Sequence, residues 1–447
     1  VKRRHSVVSI FCGAGGLDLG FKQLGFDLLY ACDSDAAAID CYSRNIDKRA
    51  FVRDARSSEF HREVAALGDC DVVVGGFPCQ GFSKAGPKQA DDDRNPLYLE
   101  MLRTVEVLRP VVFIAENVDG LSQNFAGAFL DRILADFTAL GYSVDHHLLD
   151  AVCFGLPQYR RRIFFVGVRT DSERRFEWPA PTHQAAVRNG EFKVDYAPTL
   201  WDACDAPMLR PRTIRDALKD LVELDPAVPD HVIEKNWPSA YNMIFPHIRQ
   251  GQKLCNVRHA ESSVYTWEIP EVFGEVSDRE VRVLSTISKH RRHKKYGSIP
   301  NGNPLPSEEI EKLAGLDRIG PELEALLRKN YLKRIDQRYD LKGAMFCSGI
   351  FKRPQWDEPA PTVLTNFNNP RYFIHPLADR PFSLRECARL QGFPDDFRIL
   401  GENVDLSSGY RLVGNAVPPP LSALFARSVL KTIAEQQTRQ ELMHEVA

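Results

Sequence analysis

The feature that most constrains this chain is the alternation of short apolar runs with helix-spaced segments through its first 170 residues. Apolar runs fall at 7–11, 27–31, 50–53, 71–74, 111–115 and 163–168. Helical spacing occupies 17–24, 36–45, 97–108 and 125–140, and three of these stop at or before Gly25, Pro110 and Gly141. Apolar strands that alternate with helices imply a mostly parallel sheet covered on both faces. Ligands bind such sheets beyond the C-terminal ends of the strands. The turns that follow the strands are therefore where chemistry is expected.

Two of these turns stand out. Phe11, Cys12, Gly13, Ala14, Gly15 and Gly16 separate the first strand from the first helix. Glycines there let a ligand approach the backbone, and the helix N-terminus favours an anionic group. A dinucleotide fingerprint would carry a third glycine at position 18, which here is Asp18. The turn suits another nucleoside ligand better, with Asp33 at the end of the second strand accepting from ribose hydroxyls. Asp54, after the third strand, can accept from an adenine amino group. Taken alone, the same residues read equally well as a plain tight turn with two exposed acids. The second turn is Gly75-Gly76-Phe77-Pro78-Cys79-Gln80-Gly81-Phe82-Ser83. A thiolate at Cys79 would be a strong nucleophile at a strand end, although an isolated cysteine is more often structural. A cysteine hydrolase would need a histidine partner, and none is identifiable nearby.

The ten cysteines form no Cys-x-x-Cys pair and no metal-ligand spacing with histidine, so no metal site is expected and the compartment reads as reducing. Cys12, Cys32, Cys41 and Cys70 sit in or beside apolar segments and are expected in the core. Lys and Arg number 58 against 60 Asp and Glu, so the whole chain carries no charge signal for nucleic acid or membrane. No run approaches the roughly 18 apolar residues of a spanning helix. Locally the balance differs: residues 277–353 hold 17 basic and 10 acidic residues. The densest stretch contains Lys289, Arg291, Arg292, Lys294 and Lys295. Composition shifts near 178–181 and regular patterning returns at 384–390, which marks a second domain between them. Helical segments at 278–289, 307–313 and 321–331, followed by Lys333-Arg334 and a strand-like 344–351, form a winged-helix-like pattern.

Six motifs, in order, resemble those of the DNA (cytosine-5)-methyltransferase family. They are the Phe11 to Gly16 turn; Gly76-Phe77-Pro78-Cys79-Gln80; Glu116-Asn117-Val118; Gln158-Tyr159-Arg160-Arg161-Arg162; the stretch from Arg385 to Pro394; and the stretch from Gly409 to Pro418. The resemblance covers about 7–170 and 375–430 and is nearly absent across 185–355. It implies an α/β fold: a Rossmann-like S-adenosylmethionine-dependent methyltransferase domain with a smaller, inserted, mixed target-recognition domain. The expected boundaries are 1–183 with 408–447 for the catalytic domain and 184–407 for recognition, the Arg385 to Pro394 motif included.

The resemblance further implies methyl transfer from S-adenosyl-L-methionine to C5 of a cytosine in duplex DNA, leaving S-adenosyl-L-homocysteine. Cys79 is then the nucleophile at C6 and Glu116 the group at N3. Arg160 and Arg162, which alternate on one strand face, hold the cytosine O2 or a phosphate. Cofactor contacts fall to Phe11, Gly13, Ala14, Gly15, Gly16, Asp33, Ser34, Asp54, Ala55, Pro78, Leu97, Asn415 and Val417. Ser34 stands where relatives often carry an aromatic that stacks on adenine. DNA contacts fall to Gln80, which fills the space left by a flipped base, to Ser83, Lys84 and Arg94 of the closing loop, and to the five basic residues of 289–295. Asn95 follows Arg94 where the family often has glycine.

A transfer-RNA cytosine-5 methyltransferase of the same family and a catalytically idle DNA-binding protein are the rival readings. An amino-methyltransferase would carry an Asp/Asn/Ser-Pro-Pro-aromatic motif, and none is present. The expected setting is a bacterial cytoplasm, nucleoid-associated and without membrane contact. The expected form is a monomer, with a cognate restriction endonuclease encoded nearby.

Overall fold

The computed structural model describes residues 4–78, 97–119, 126–171, 175–184, 209–299, 302–342 and 349–446. The chain divides into two compact units. The first holds Val1–Val232, Asp357–Asn366 and Ser383–Ala447; the second holds Ile233–Trp356 and Phe367–Phe382.

The first unit is built on a seven-stranded sheet. Its strands are β1 (Ser6–Ile10), β2 (Asp27–Asp33), β3 (Ala50–Val52), β4 (Val72–Gly75), β5 (Val112–Val118), β6 (Tyr142–Asp150) and β7 (Arg161–Arg169). They lie in the order β3-β2-β1-β4-β5-β7-β6. The first five are mutually parallel, and β7 runs antiparallel between β5 and β6. The chain walks outward from β1 to β3 and then returns to β4, so order reverses beside β1. That reversal opens a crevice above the strand ends, the usual ligand position in such sheets.

Helices α1 (Gly16–Gln23), α2 (Ala36–Asn45), α3 (Ser58–Ala66), α4 (Leu97–Leu108) and α5 (Ala126–Ala139) connect the strands. The core gathers Val8, Ile10, Val73, Met101, Phe113, Ile133, Phe137 and Phe165, all at most 0% exposed. Cys12, Cys32, Cys41 and Cys70 are buried free thiols, as their apolar neighbours suggested.

Helix α3 and strand β6 are among the elements that the sequence pattern does not announce clearly. Helix α3 is announced only by Ser57, whose hydroxyl accepts from the Phe60 amide. Strand β6 is half-exposed and polar in places (Asp145, His146, His147), so it lacks the continuous apolar run of its parallel neighbours.

The C-terminal segment returns to α1. A Cβ on Gly16 would stand 2.2 Å from the Val417 carbonyl oxygen, and one on Gly20 would stand 2.3 Å from the Ala423 amide nitrogen. These glycines admit the start of the helix Pro419–Val446 against α1. The Arg385 to Pro394 stretch, expected with the recognition region, belongs to the first unit. The reason is its hydrogen bonding. Arg385 donates to the carbonyls of Pro229, Pro394 and Phe397, and Gln391 donates to that of Ala416.

The second unit has its own core, with Val283, Leu284, Ile287, Leu305, Ile310, Ile319 and Leu326 fully buried. Helices span Asp278–His290, Ser307–Ala314 and Gly320–Arg328. A short strand, Leu305–Pro306, lies between the first two, and a hairpin of Leu332–Ile335 and Arg338–Leu341 follows the third. The short strand pairs with the last strand of the hairpin. Helix-strand-helix-helix-strand-strand with this sheet order is winged-helix topology. The strands fall at 332–341 rather than in the expected 344–351 stretch, of which residues 344–348 lie outside the described residues. Leu332 and Leu341 face each other and close the core, which draws the hairpin earlier than the sequence pattern indicated.

Candidate active site

A cleft of about 570 Å³ lies over the C-terminal strand ends of the first unit, lined by residues after β1, β2, β3 and β4, by β5, and by residues 411–417. That volume suits a nucleoside-sized ligand. Phe11 opens the glycine turn with φ 54, a left-handed conformation that a bulky residue rarely adopts. Such an outlier beside a cleft is strain at a working turn. Gly13 and Gly15 carry φ 54 and 86, which glycine accepts freely. The Gly13 amide donates to Asp33 Oδ2 at 3.0 Å and the Asp35 amide to Oδ1 at 2.9 Å, so the Asp33 carboxylate is pinned to the turn at β2's end. Burial pushes its pKa above the ordinary value.

Of the cofactor residues expected from sequence, Phe11, Gly13, Ala14, Gly16, Asp33, Ser34, Asp54, Ala55, Pro78, Leu97, Asn415 and Val417 all line this cleft. Gly15 does not line it but turns the backbone into α1. Asp54 stands half-exposed and is bound by Arg56, whose guanidinium holds its carboxyl below the usual range.

Glu116, near the end of β5, is buried and faces the cleft. Arg162 Nε lies 2.8 Å from its Oε1. Burial raises the Glu116 pKa, while the nearby Arg162 and Arg160 charges oppose that rise. A Cβ on Gly76 would meet Glu116 Oε2 at 3.1 Å, so glycine there leaves the carboxylate uncrowded. Cys79, Gln80, Ser83, Lys84 and Arg94 lie outside the described residues. The described chain reaches Pro78, on the cleft wall, one residue before Cys79.

Arg160 does not join Arg162 in the cleft, contrary to the alternation expected from sequence. It precedes β7, is 1% exposed, and donates to the carbonyls of Val363 (3.1 Å), Gly414 (2.9 Å) and Ala416 (2.8 Å). A planar guanidinium with several fixed donors is suited to binding several acceptors at once. Its role in this geometry is to hold the 414–416 segment that forms one cleft wall. Gln158 acts alongside it, donating to Leu390 O and accepting from the Val363 amide.

Three residues acquire roles that sequence reasoning missed. Asn117 donates to Phe77 O at 3.0 Å and accepts from the Val118 amide at 2.8 Å, fixing the backbone two residues before Cys79. Arg411 lines the cleft and pairs with Asp35. Asp18, where the dinucleotide fingerprint has glycine, is fully buried, lines the cleft and accepts from Tyr42 Oη at 3.1 Å. Asn117 and Arg411 lay within recognised motifs, but only the fold supplies their partners.

In the second unit the basic stretch divides. Arg291 is 4% exposed and forms a bidentate pair with Asp340 at 2.8 and 2.9 Å, so it is no surface phosphate contact. Asp340 on the hairpin supplies the carboxylate that offsets the burial of this guanidinium. Lys295 is exposed and paired with Glu309 at 2.7 Å. Lys289, Arg292 and Lys294 are exposed.

A parallel-dominated sheet that turns back beside β1, a glycine turn into α1 and a strand-end acid fixed to that turn define a Rossmann-like nucleoside-binding methyltransferase fold. A solved structure of a putative DNA modification methyltransferase from an E. coli prophage has this fold, with TM-score 0.52, 23% identity and coverage of 96% of this chain and 99% of that one. The family model for C-5 cytosine-specific DNA methylases matches residues 5–431. Type II methyltransferase M.AgeI of Thalassovita gelatinovora is 32% identical, over 96% of this chain and 99% of its own length. Type II methyltransferase M.NgoFVII of Neisseria gonorrhoeae is 26% identical, over 98% and 90%. The chain belongs to the C-5 cytosine-specific DNA methylase family and is a DNA cytosine-5 methyltransferase. Among the described residues, no helix is long and apolar enough to cross a membrane, and no cluster of three or more His, Cys, Asp or Glu could hold a metal ion.

Proposed function

We propose that this enzyme methylates C5 of one cytosine, flipped out of a specific duplex sequence, through a covalent bond between Cys79 and C6. The observation that carries this reading is the buried Glu116 paired with Arg162 on the wall of a nucleoside-sized cleft, with Pro78, the neighbour of Cys79, also lining that cleft. Cytosine C5 is a poor nucleophile. Thiolate attack at C6 makes C5 enamine-like, and a hydrogen bond to N3 draws electron density from C6 to assist that attack. Glu116 suits the N3 role because burial favours its protonated form. Arg162 keeps the carboxyl oriented and supplies a donor toward the base. Asn117 holds the Phe77 carbonyl and so steadies the approach to Cys79.

S-adenosylmethionine supplies an electrophilic methyl group when bound. The cleft fits it: the Gly13–Gly16 turn can face its polar end, Asp33 its ribose, and Leu97 and Val417 its apolar parts. A base inside a stacked duplex cannot reach such a cleft, which is why flipping belongs to the proposal. The second unit, with its local basic excess, is the proposed target-recognition domain, and a restriction endonuclease of the same sequence specificity is the partner this reading implies.

The test is conversion sequencing of DNA treated with enzyme and S-adenosylmethionine, with Cys79→Ser alongside. Methylated cytosines in one sequence context are expected from the wild type only. The serine variant should keep its cofactor affinity and lose trapping on 5-fluorocytosine DNA, where fluorine at C5 blocks elimination. Near-normal methylation by Cys79→Ser would remove the thiol from the mechanism.

A further inference from the structure

The winged-helix topology of the second unit raises the question of which of its surfaces meets DNA. In helix-turn-helix folds the second helix of the pair usually enters the major groove, whereas other proteins read a groove with a β-ribbon. Here charge separates the two options. Residues 305–324, which carry the short strand, the Ser307–Ala314 helix and the first half of the Gly320–Arg328 helix, contain six acidic and two basic residues. Residues 325–342, which end that helix and form the hairpin, contain six basic and two acidic ones. The Gly320–Arg328 helix itself carries Glu322 and Glu324 against Arg328, whereas the hairpin carries Lys333, Arg334 and Arg338 against Asp336 and Asp340, so the hairpin is the better match to phosphates.

The hairpin is also built to project. Asp336 and Gln337 form its two-residue tip, both left-handed at φ 45 and 64. Hairpin tips of this kind favour glycine, yet here the second position keeps an amide side chain. Ile335 faces Arg338 across the strands, and both are exposed. Arg338 has no ion-pair partner among the described residues. Two steps inward Asp340 opposes Lys333 and receives the buried fork of Arg291, which ties the hairpin to the end of the Asp278–His290 helix. Exposed Lys289 and Arg292 flank that tie in sequence.

We infer that the hairpin Leu332–Leu341, rather than the Gly320–Arg328 helix, enters a groove of the target duplex, with Gln337 and Arg338 at base edges. Amide and guanidinium groups are the side chains best matched to the paired donors and acceptors of adenine and guanine. Arg291 is a positioning residue in this arrangement. The inference rests on the DNA-methyltransferase reading above.

The test uses the full-length enzyme on a randomised duplex library, with methylated positions read by conversion sequencing. Gln337→Gly removes the amide while relieving the left-handed turn, so folding is preserved, and Arg338→Ala removes the guanidinium. Each should lower methylation of the wild-type motif about 5- to 150-fold, the equivalent of about 1–3 kcal/mol per base contact, and relax the motif at one or two positions. S-adenosylmethionine affinity should not change. Glu324→Gln and Arg328→Ala on the helix should leave the motif intact. An unchanged motif and rate in both hairpin variants would overturn the inference, as would a motif altered only by the helix variants. A uniform loss of rate with the motif preserved would overturn base reading by the tip. A wild type that methylates nothing in the library would overturn the enzyme reading itself, and the hairpin assignment with it.

Discussion

Arg160 gives the sharpest test of how the active site is assembled. Replacing it with alanine removes a buried cation and the hydrogen bonds it gives the carbonyls of Val363, Gly414 and Ala416, of which only Ala416 keeps a second side-chain donor among the described residues, the Gln391 amide. A hydrogen bond to a charged group contributes about 1.5–3 kcal/mol in isolation. Three bonds on one guanidinium are not additive, so a total loss of about 3–5 kcal/mol is expected, at the upper end of single-site effects. Because Asn415, Ala416 and Val417 line the cleft, the cofactor should bind at least about tenfold more weakly, equal to about 1.4 kcal/mol. Arg160→Lys should fall between, since one ammonium cannot reproduce the planar fork. Urea unfolding followed by fluorescence measures the first effect, and titration calorimetry with S-adenosylmethionine measures the second. If both stay at wild-type values while binding of cytosine-containing DNA is lost, Arg160 contacts the base directly and does not serve to hold the cleft wall.

Two further outcomes follow from other parts of the molecule. Burial pushes the Asp18 carboxyl up to about 6, against an unfolded value near 4, so the folded state holds this proton more tightly. The resulting stabilisation is fully present below about pH 4 and lost as pH rises through 6, so Asp18→Asn should gain on wild type by about 3 kcal/mol between pH 4 and pH 8; a stability gap that does not vary with pH would refute this. Neutralising exposed Lys289, Arg292 and Lys294 together, with Arg291 retained, should reduce the log–log salt slope of DNA binding by up to about 2.7 without affecting the cofactor, and a slope equal to wild type would show that these cations face solvent away from the duplex.

Much of the first unit was legible in the sequence because its determinants are local. A continuous apolar run such as 111–115 can only be satisfied between two covered faces, and glycines at 13, 15 and 16 announce a turn that needs left-handed backbone or close approach. Asp33 could be assigned to the cleft because a strand end fixes where its last side chain lies. The same reasoning failed for β6, whose polar residues mask an edge strand, and for the hairpin at 332–341, whose placement depends on Leu332 and Leu341 meeting across the strands.

What the tertiary structure alone decided is the division of labour among like residues. Arg160 and Arg162 are two positions apart and chemically identical, yet one binds three carbonyls contributed by segments more than 200 residues away and the other meets Glu116 in the cleft. Arg291 and Arg292 are adjacent in one basic run, yet Asp340 buries the first and leaves the second exposed. Spacing along a chain determines which face of an element a residue occupies. It carries no information about which distant carboxylate or carbonyl will be waiting there, and for a buried charge the partner decides the role.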